Sequence, residues 1–422
     1  MNIKIKLKYG DEEIAAVLSG GRFLGEIRPN PLPELTDAGQ EIINSLRVPI
    51  GSRPLQSLVG DARSVAIVIS DHTRPLSAER ILPLLISELE GAGINRDSVT
   101  VIIGVGNHHP VTVEEEIRLL GPVYGQVKCV HSRESGYKLL GITKRGTPIE
   151  VAEPVANAGF VAAIGNIEHH QMAGYTGGVK AVAVGAASPR AIENNHRLNN
   201  LQDSGFGILE GNIVRQDMEE FARITNLRFI VNVILNEFHR LVAVVAGDPV
   251  SAHRAGCAVA DRLYRVRIEK PADIVIISPG GRPKDDTVYQ AQKSVQNAVK
   301  AVKNGGIIVV AAKCGGGLGD PVFEAWMNEA VTPKDLEARS AREFALGGHK
   351  GALIAKAVQR AEIYWVSDME PACVRRLFFK PYASLQEAVD AALRRKGENA
   401  GVLVMPFGGL TVPFSHANSG GE

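Results

Sequence analysis

Short β-branched runs recur along this chain, and each leads straight into glycine or polar residues: 65–70 before DHTRP, 99–103 before GVGNHHP and 160–164 before GNIEHHQ. Runs that are apolar throughout, rather than alternating, belong to strands buried on both faces, as parallel strands are when helices cover them. Between the first two lies PLSAERILPLLISELEGAG, with apolar residues at helical spacing and glycines at its end. It reads as the crossover helix of a strand–helix–strand unit. This pattern predicts an α/β fold.

The series continues through strands at 227–235 and 241–246 and a helix near 249–265, after which RVRIEKPAD looks like a polar join. A second series follows: ADIVIISPGG, a helix from about 286 to 304, GGIIVVAAKCGGGLG, EIYWVSD and GVLVMPFGG. With 422 residues, two domains are expected. We place them at 1–268, carrying cofactor-binding and acid/base residues, and 269–422, carrying substrate-side residues, with the final segment packing back on the first domain. HANSGGE at the end reads as a loose tail.

In open α/β sheets, ligands bind where the carboxyl ends of strands meet their loops. That rule selects Asp71, Arg74, His108, His109, His169, His170 and Lys180, together with the loops around Gly280, Gly315 and Gly408. Mainly parallel sheets in two domains then predict an active-site cleft between them.

Charge narrows the ligand class. The chain carries 47 basic and 46 acidic side chains, a formal charge of +1, so no global field favours nucleic acid or an anionic membrane. A small-molecule partner is expected. The 4 cysteines form no Cys-x-x-Cys pair, which points away from a disulfide framework or a thiolate zinc site. The N-terminus alternates apolar and charged residues unlike a signal peptide, and no apolar run is long enough to span a bilayer. A cytoplasmic protein is expected.

The turn from Ala173 to Lys180 is glycine-rich and ends in a cation, so it could bring N–H groups and one ammonium to a phosphate, although it lacks the Walker spacing. A tight structural turn with a solvated lysine is an equal reading. The spacing of His170 and His196 about Lys180 matches neither a zinc finger nor a metalloprotease helix, which disfavours a zinc hydrolase. His108 and His170, both at strand ends, could act as opposed general bases. SDHTRP sets a carboxylate and a guanidinium just after a strand, suited to a ribose hydroxyl and an anion; a turn salt bridge between Asp71 and Arg74 is the bland alternative. YQAQKS places Tyr289 and Lys293 on one helical face, and Asp285 and Asp286 before it could simply cap that helix.

Together SDHTRP, GNHHP, HHQMAGYTGGVK, NNH, GGRPKDDTVYQAQK and MPFGGLTVP resemble, in the same order, the motifs of the nickel-dependent lactate racemase family, a set of nickel-pincer 2-hydroxyacid racemases and epimerases. The resemblance implies an isomerase carrying nickel in a pyridinium-3-thioamide-5-thiocarboxylic acid mononucleotide attached covalently to Lys180, with His196 as the metal's protein ligand. It implies His108 and His170 as the acid/base pair, with Arg74 and Lys293 assisting catalysis. Arg74, Tyr289, Gln290 and Lys293 would hold substrate; Asp71, Thr73, Arg74, Thr176, Gly177 and Gly178 would meet the cofactor. The implied reaction removes the hydroxyl proton of a 2-hydroxyacid and its 2-hydrogen as hydride, and lets the planar 2-oxoacid turn before the hydride returns. Cofactor-building enzymes are the implied maturation partners.

Some positions depart from the family pattern: His109 stands where arginine is common, and Tyr175 and Thr176 where Phe and Ser are common. The acid therefore stays open among lactate, malate, a longer aliphatic hydroxyacid, an aryl-lactate and a sugar acid. Trp365 reads as core in preference to a substrate-side aromatic. Two alternatives stand beside this reading. A nicotinamide-dependent hydroxyacid dehydrogenase lacks its Gly-x-Gly-x-x-Gly fingerprint here, and a non-catalytic nucleotide or metal carrier would need no opposed histidines.

Overall fold

A computed structural model describes residues 2–71, 73–108, 110–200 and 205–415; His109 and the HANSGGE tail lie outside the described residues. The chain forms two compact units, Leu32–Arg262 and a second one built from Met1–Pro31 together with Leu263–Glu422. Both are α/β, as the apolar strand pattern requires.

The unit Leu32–Arg262 holds a six-stranded sheet in the spatial order Leu241–Gly247, Leu227–Leu235, Phe160–Asn166, Val65–Ser70, Val99–Gly104, Lys128–His131. All neighbours are parallel except the first pair, which is antiparallel. Val65–Ser70 pairs in register with Val99–Gly104 on one side and with Phe160–Asn166 on the other. The chain moves outward on one side through Lys128–His131 and then returns to begin the other side at Phe160. That reversal leaves a crevice at the carboxyl ends of Val65–Ser70 and Phe160–Asn166, the switch point where open sheets bind ligands. The crossover helix is Ala78–Gly91, whose Ile81, Leu82, Leu85 and Leu89 are fully buried beneath the strands.

In the second unit the order is Lys380–Tyr382, Ala361–Val366, Val302–Ala311, Ala272–Ile277, Gly401–Met405, Arg22–Glu26, parallel throughout. Two expectations are corrected here. The single boundary near residue 268 misplaces the start of the chain, because the hairpin Ile3–Tyr9 with Glu12–Leu18 packs Ile5, Leu7, Ala16 and Leu18 against Ile274, Ile276, Ile307 and Val309 of this sheet. Each such aliphatic side chain contributes about 1.5–3 kcal/mol when fully buried. The last described strand, Val412–Phe414, likewise stays in this unit and pairs with Arg265–Arg267 inside the supposed polar join.

The hairpin turn is also tied by polar bonds. Gly10 N–H donates to Asp285 Oδ2 at 2.7 Å, and its carbonyl accepts from Arg282 N–H at 3.2 Å. Asp285 Oδ2 thus ties the hairpin to the Lys313 N–H, from which it also accepts at 3.3 Å, and burial pushes its carboxyl up from the usual range. Capping of the helix Val288–Ala301 falls instead to Thr287, which accepts from Gln290 N–H. Trp365 is completely buried and stacks on Phe379 at 5.0 Å, so it belongs to the core. No helix among the described residues is long and apolar enough to cross a membrane.

Candidate functional site

Asp71 is the first residue beyond the strand Val65–Ser70, and its carboxylate is buried. A buried charge demands partners, and Asp71 has them: Oδ1 accepts from Thr73 Oγ1 at 2.6 Å and Thr73 N–H at 3.2 Å, while Oδ2 lies 2.6 Å from His108 Nδ1. Carboxylate and imidazole therefore form a dyad. The His108 side chain keeps 33% of its surface exposed against 2% for Asp71, so the ring can meet a ligand and the carboxylate cannot. With its Nδ1 proton held by Asp71, neutral His108 presents Nε2 as an acceptor. Among the described residues Asp71 meets Thr73 and His108 rather than Arg74, so the bland turn salt bridge is not what forms; Arg74 is half-buried and its N–H caps the turn on the Asp71 carbonyl.

The other histidine is held in the opposite sense. His170 Nδ1 accepts from the N–H groups of Met172 at 3.3 Å and Ala173 at 3.2 Å. An imidazole nitrogen that accepts two amides carries no proton, so neutral His170 is protonated on Nε2. His169 points elsewhere: its Nε2 pairs with Asp261 at 2.9 Å, and Tyr175 donates to the same carboxylate oxygen at 2.7 Å.

Lys180 ends the glycine-rich turn and enters a short wide helix, Ala181–Gly185, closed by an i to i+5 bond from Ala186 N–H to the Ala181 carbonyl. Such wide turns recur at functional sites because they displace one residue from the regular helical path. This one packs against the strands Val65–Ser70, Val99–Gly104 and Phe160–Asn166, which sets Lys180 among the same strands that carry Asp71 and His108. Gly104 and Gly185 touch backbone to backbone, where a Cβ on Gly104 would lie 2.9 Å from Gly185 Cα. Ser132 bridges the two segments, accepting from Val105 N–H at 3.2 Å and donating to the Gly185 carbonyl at 3.0 Å. Arg133 adds a bond to the Gly106 carbonyl at 2.9 Å. Gly104→Ala is therefore expected to destabilise the unit by about 1–3 kcal/mol through overpacking, seen as a lower Tm. An unchanged Tm would mean that the contact is relaxed in solution.

The turn before Lys180 is gripped from three elements. Gly178 N–H donates to Asn232 Oδ1 at 2.7 Å, and a Cβ at Gly178, where φ is +57°, would strike His253 at 2.7 Å. Thr176 is buried and closes the loop on itself, donating to the Asn166 carbonyl and accepting from Glu168 N–H, both at 2.8 Å. Thr176 and the Gly178 amide thus make their hydrogen bonds within the protein. Gly177 keeps a positive φ of +74° beside the Asn166 carbonyl. His253 donates to the Thr176 carbonyl at 2.8 Å, and burial, with Arg215 nearby, holds its ring neutral.

His196 lies near the end of the helix Pro189–Arg197 and is buried. Its neighbour Asn195 donates to Asp217 at 2.8 Å, and Asp217, fully buried, also accepts from Thr143 at 2.5 Å and Thr147 at 2.7 Å. That network anchors the His196 helix. Among the described residues no three His, Cys, Asp or Glu side chains gather as a metal site.

In the second unit, Tyr289, Gln290 and Lys293 share the first turns of the helix Val288–Ala301, where Lys293 Nζ donates to Gln290 Oε1 at 2.7 Å. Reading the sequence missed Lys350. Almost wholly buried, it sets its ammonium 4.3 Å from the Tyr289 ring centre and bonds the Tyr289 carbonyl at 3.3 Å. A lysine following GGH at a helix start was the signal available for it.

Comparison with known proteins matches residues 9–207 to the lactate racemase N-terminal domain and residues 268–412 to the lactate racemase C-terminal domain. The chain is 31% identical over 417 residues to the lactate racemase of Thermoanaerobacterium thermosaccharolyticum, covering 96% of this chain and 97% of that one. It is 28% identical over 422 residues to the lactate racemase of Lactiplantibacillus plantarum, covering 96% and 98%. The solved lactate racemase apoprotein from T. thermosaccharolyticum superimposes with a TM-score of 0.89 over 98% of this chain and 100% of that chain, at 29% identity. A crystal structure from Thermotoga maritima shares the fold at a TM-score of 0.69 and 14% identity, over 92% of this chain and 100% of that one.

Proposed function

Because this chain belongs to the lactate racemase family, we propose that it interconverts the enantiomers of lactate, or of a closely related 2-hydroxyacid, with His108 and His170 as the acid/base pair. Lys180 would carry the nickel-pincer nucleotide as a covalent adduct, and His196 would be the protein ligand to nickel. Asp71, Thr73, Arg74, Thr176, Gly177 and Gly178 are proposed to meet the cofactor; Arg74, Tyr289, Gln290 and Lys293 are proposed to hold substrate. When bound, the cofactor supplies a reversible hydride acceptor, a chemistry that no side chain offers.

The observation that carries the reading is the Asp71–His108 pair at 2.6 Å. His108 takes the hydroxyl proton on Nε2, and the imidazolium that results is stabilised by the buried carboxylate, whose two oxygens are already oriented by Thr73 and the ring. His170, protonated on Nε2, presents a donor to a substrate oxygen. To act as a base there it must shift its proton to Nδ1 and give up two long amide bonds, each worth about 0.5–1.5 kcal/mol at most. That cost is small enough for both histidines to exchange roles during turnover. A guanidinium at Arg74 and an ammonium at Lys293 suit the carboxylate of a hydroxyacid.

The test is direct. Protein matured by cofactor-building enzymes and given one pure lactate enantiomer in deuterium oxide is expected to reach an equal mixture with little deuterium at the 2-carbon. Full deuteration would mean proton abstraction at carbon and overturn the hydride reading. Matured, nickel-loaded protein that leaves lactate and related 2-hydroxyacids optically unchanged would sink the racemase assignment.

A further inference from the structure

The turn that carries the amides on His170 is itself held by the first residues of one helix. Asn212 caps the helix Ile213–Ile224 through Oδ1, which accepts from Arg215 N–H at 3.0 Å. Its amide nitrogen donates to the Met172 carbonyl at 2.9 Å and to the Ile208 carbonyl at 3.0 Å. The Met172 carbonyl belongs to the same peptide unit as the Ala173 N–H, which donates to His170 Nδ1. A donor on the carbonyl of a peptide polarises it and strengthens its N–H. Asn212 therefore acts on the ring through one peptide plane.

Arg215 adds the second hold. Its Nε donates to the Ala173 carbonyl at 3.2 Å and a terminal nitrogen to the Tyr175 carbonyl. Only 2% of Arg215 is exposed, and among the described residues it forms no ion pair with a carboxylate. Burial accordingly pulls its guanidinium below the usual arginine range. Burying a cation on carbonyls alone is costly, and an apolar side chain would fill the same volume without that cost. What arginine adds here is two fixed donors aimed at one turn.

Resting on the reading of His170 as an acid/base residue, we infer that Asn212 and Arg215 are positioning residues for His170: they clamp the turn 172–175 so that the imidazole keeps its ring proton on Nε2. The amide bonds to Nδ1 are long, so by themselves they discriminate weakly between the two tautomers. The clamp makes up the difference by denying the Ala173 amide room to turn away. Because it acts on where a proton sits and not on substrate contacts, loosening it changes the balance between the donor and base forms of His170 and leaves KM nearly unchanged.

Two variants test this. Asn212→Ser retains an oxygen to cap the helix and removes the amide that reaches Met172; Arg215→Lys retains the charge and loses the fork. Nitrogen-15 spectra of the imidazole rings, recorded on unmatured protein and assigned with His170→Gln, read the tautomer without cofactor or activity. Both variants are expected to move the His170 signals from the Nε2–H pattern toward an averaged one, and in matured protein to leave KM nearly unchanged. Folded variants with an unchanged His170 pattern would overturn the inference, and Arg215→Lys carries the test if Asn212→Ser does not fold. Shifted signals alongside undiminished turnover in His170→Ala would uphold the clamp while removing the acid/base reading.

Discussion

Lys180→Ala is expected to abolish racemisation while leaving the fold intact. The backbone at Lys180 is right-handed helical, at φ −62° and ψ −27°, where alanine is unstrained and at least as favourable as lysine. The residue is half-buried, and the turn around it is held by Asn232, His253, Arg215 and Ser132. Stability should therefore change by no more than about 0.5 kcal/mol. What disappears is the amine proposed to form the covalent link. Matured Lys180→Ala should have the unmodified polypeptide mass, where the parent protein is expected to carry an adduct. Lys180→Arg separates charge from nucleophilicity, since a guanidinium keeps its proton at all working pH values and remains cationic; it too should lack the adduct and the activity. Racemisation by either variant without an adduct would remove Lys180 from its assigned role.

Asp71→Asn should lower kcat by about 100- to 10,000-fold with little change in KM. The size follows from the geometry. The two carboxylate oxygens serve different donors, Oδ1 meeting the Thr73 N–H and hydroxyl and Oδ2 meeting His108 Nδ1. An amide has one oxygen. If that oxygen stays with Thr73, the NH2 group faces His108 and forces Nδ1 to accept, which moves the ring proton to Nε2 and removes the base. If it faces His108 instead, the NH2 group meets two buried donors from Thr73, which costs about 1–3 kcal/mol. Loss of the negative charge also withdraws support from the imidazolium. Ring nitrogen spectra of the variant should show His108 in the changed tautomer, and a kcat within about threefold of the parent value, far from the range for general-base loss, would show that Asp71 does not orient the base.

Much of this was legible along the chain. The strands Val65–Ser70 and Leu227–Leu235 were readable to the residue because strands buried on both faces are mostly apolar, the second interrupted by Arg228 and Asn232 alone. The crossover helix Ala78–Gly91 was readable because its apolar residues fall at helical spacing. Arg22–Glu26 escaped notice because it is a short edge strand with an exposed, mixed sequence, and the hairpin Tyr137–Ile142 with Pro148–Ala152 is broken by a register shift and glycine. In the site, the histidines and Lys180 announced themselves through residue type and motif order. Asn212, Arg215, His253, Asp217 and Lys350 did not, since an isolated polar residue in a helix usually lies in solvent and burial cannot be read from its type.

The sequence by itself determined the α/β class, the strand ends that carry Asp71, His108, His170 and Lys180, and the family to which their order points. Those properties are local: they follow from periodicity, turn chemistry and short motifs. Tertiary structure alone decided that the first hairpin packs against the C-terminal sheet, that Asp71 meets His108 across a parallel strand pair, and that the two histidines carry their protons on different nitrogens. The first two depend on a partner far away in the chain, and the third on a turn close in sequence that is held in place by the distant Asn212. Hydrogen-bond donors and acceptors are assigned by proximity in space, and neither spacing nor composition records which distant carboxylate or amide will arrive there.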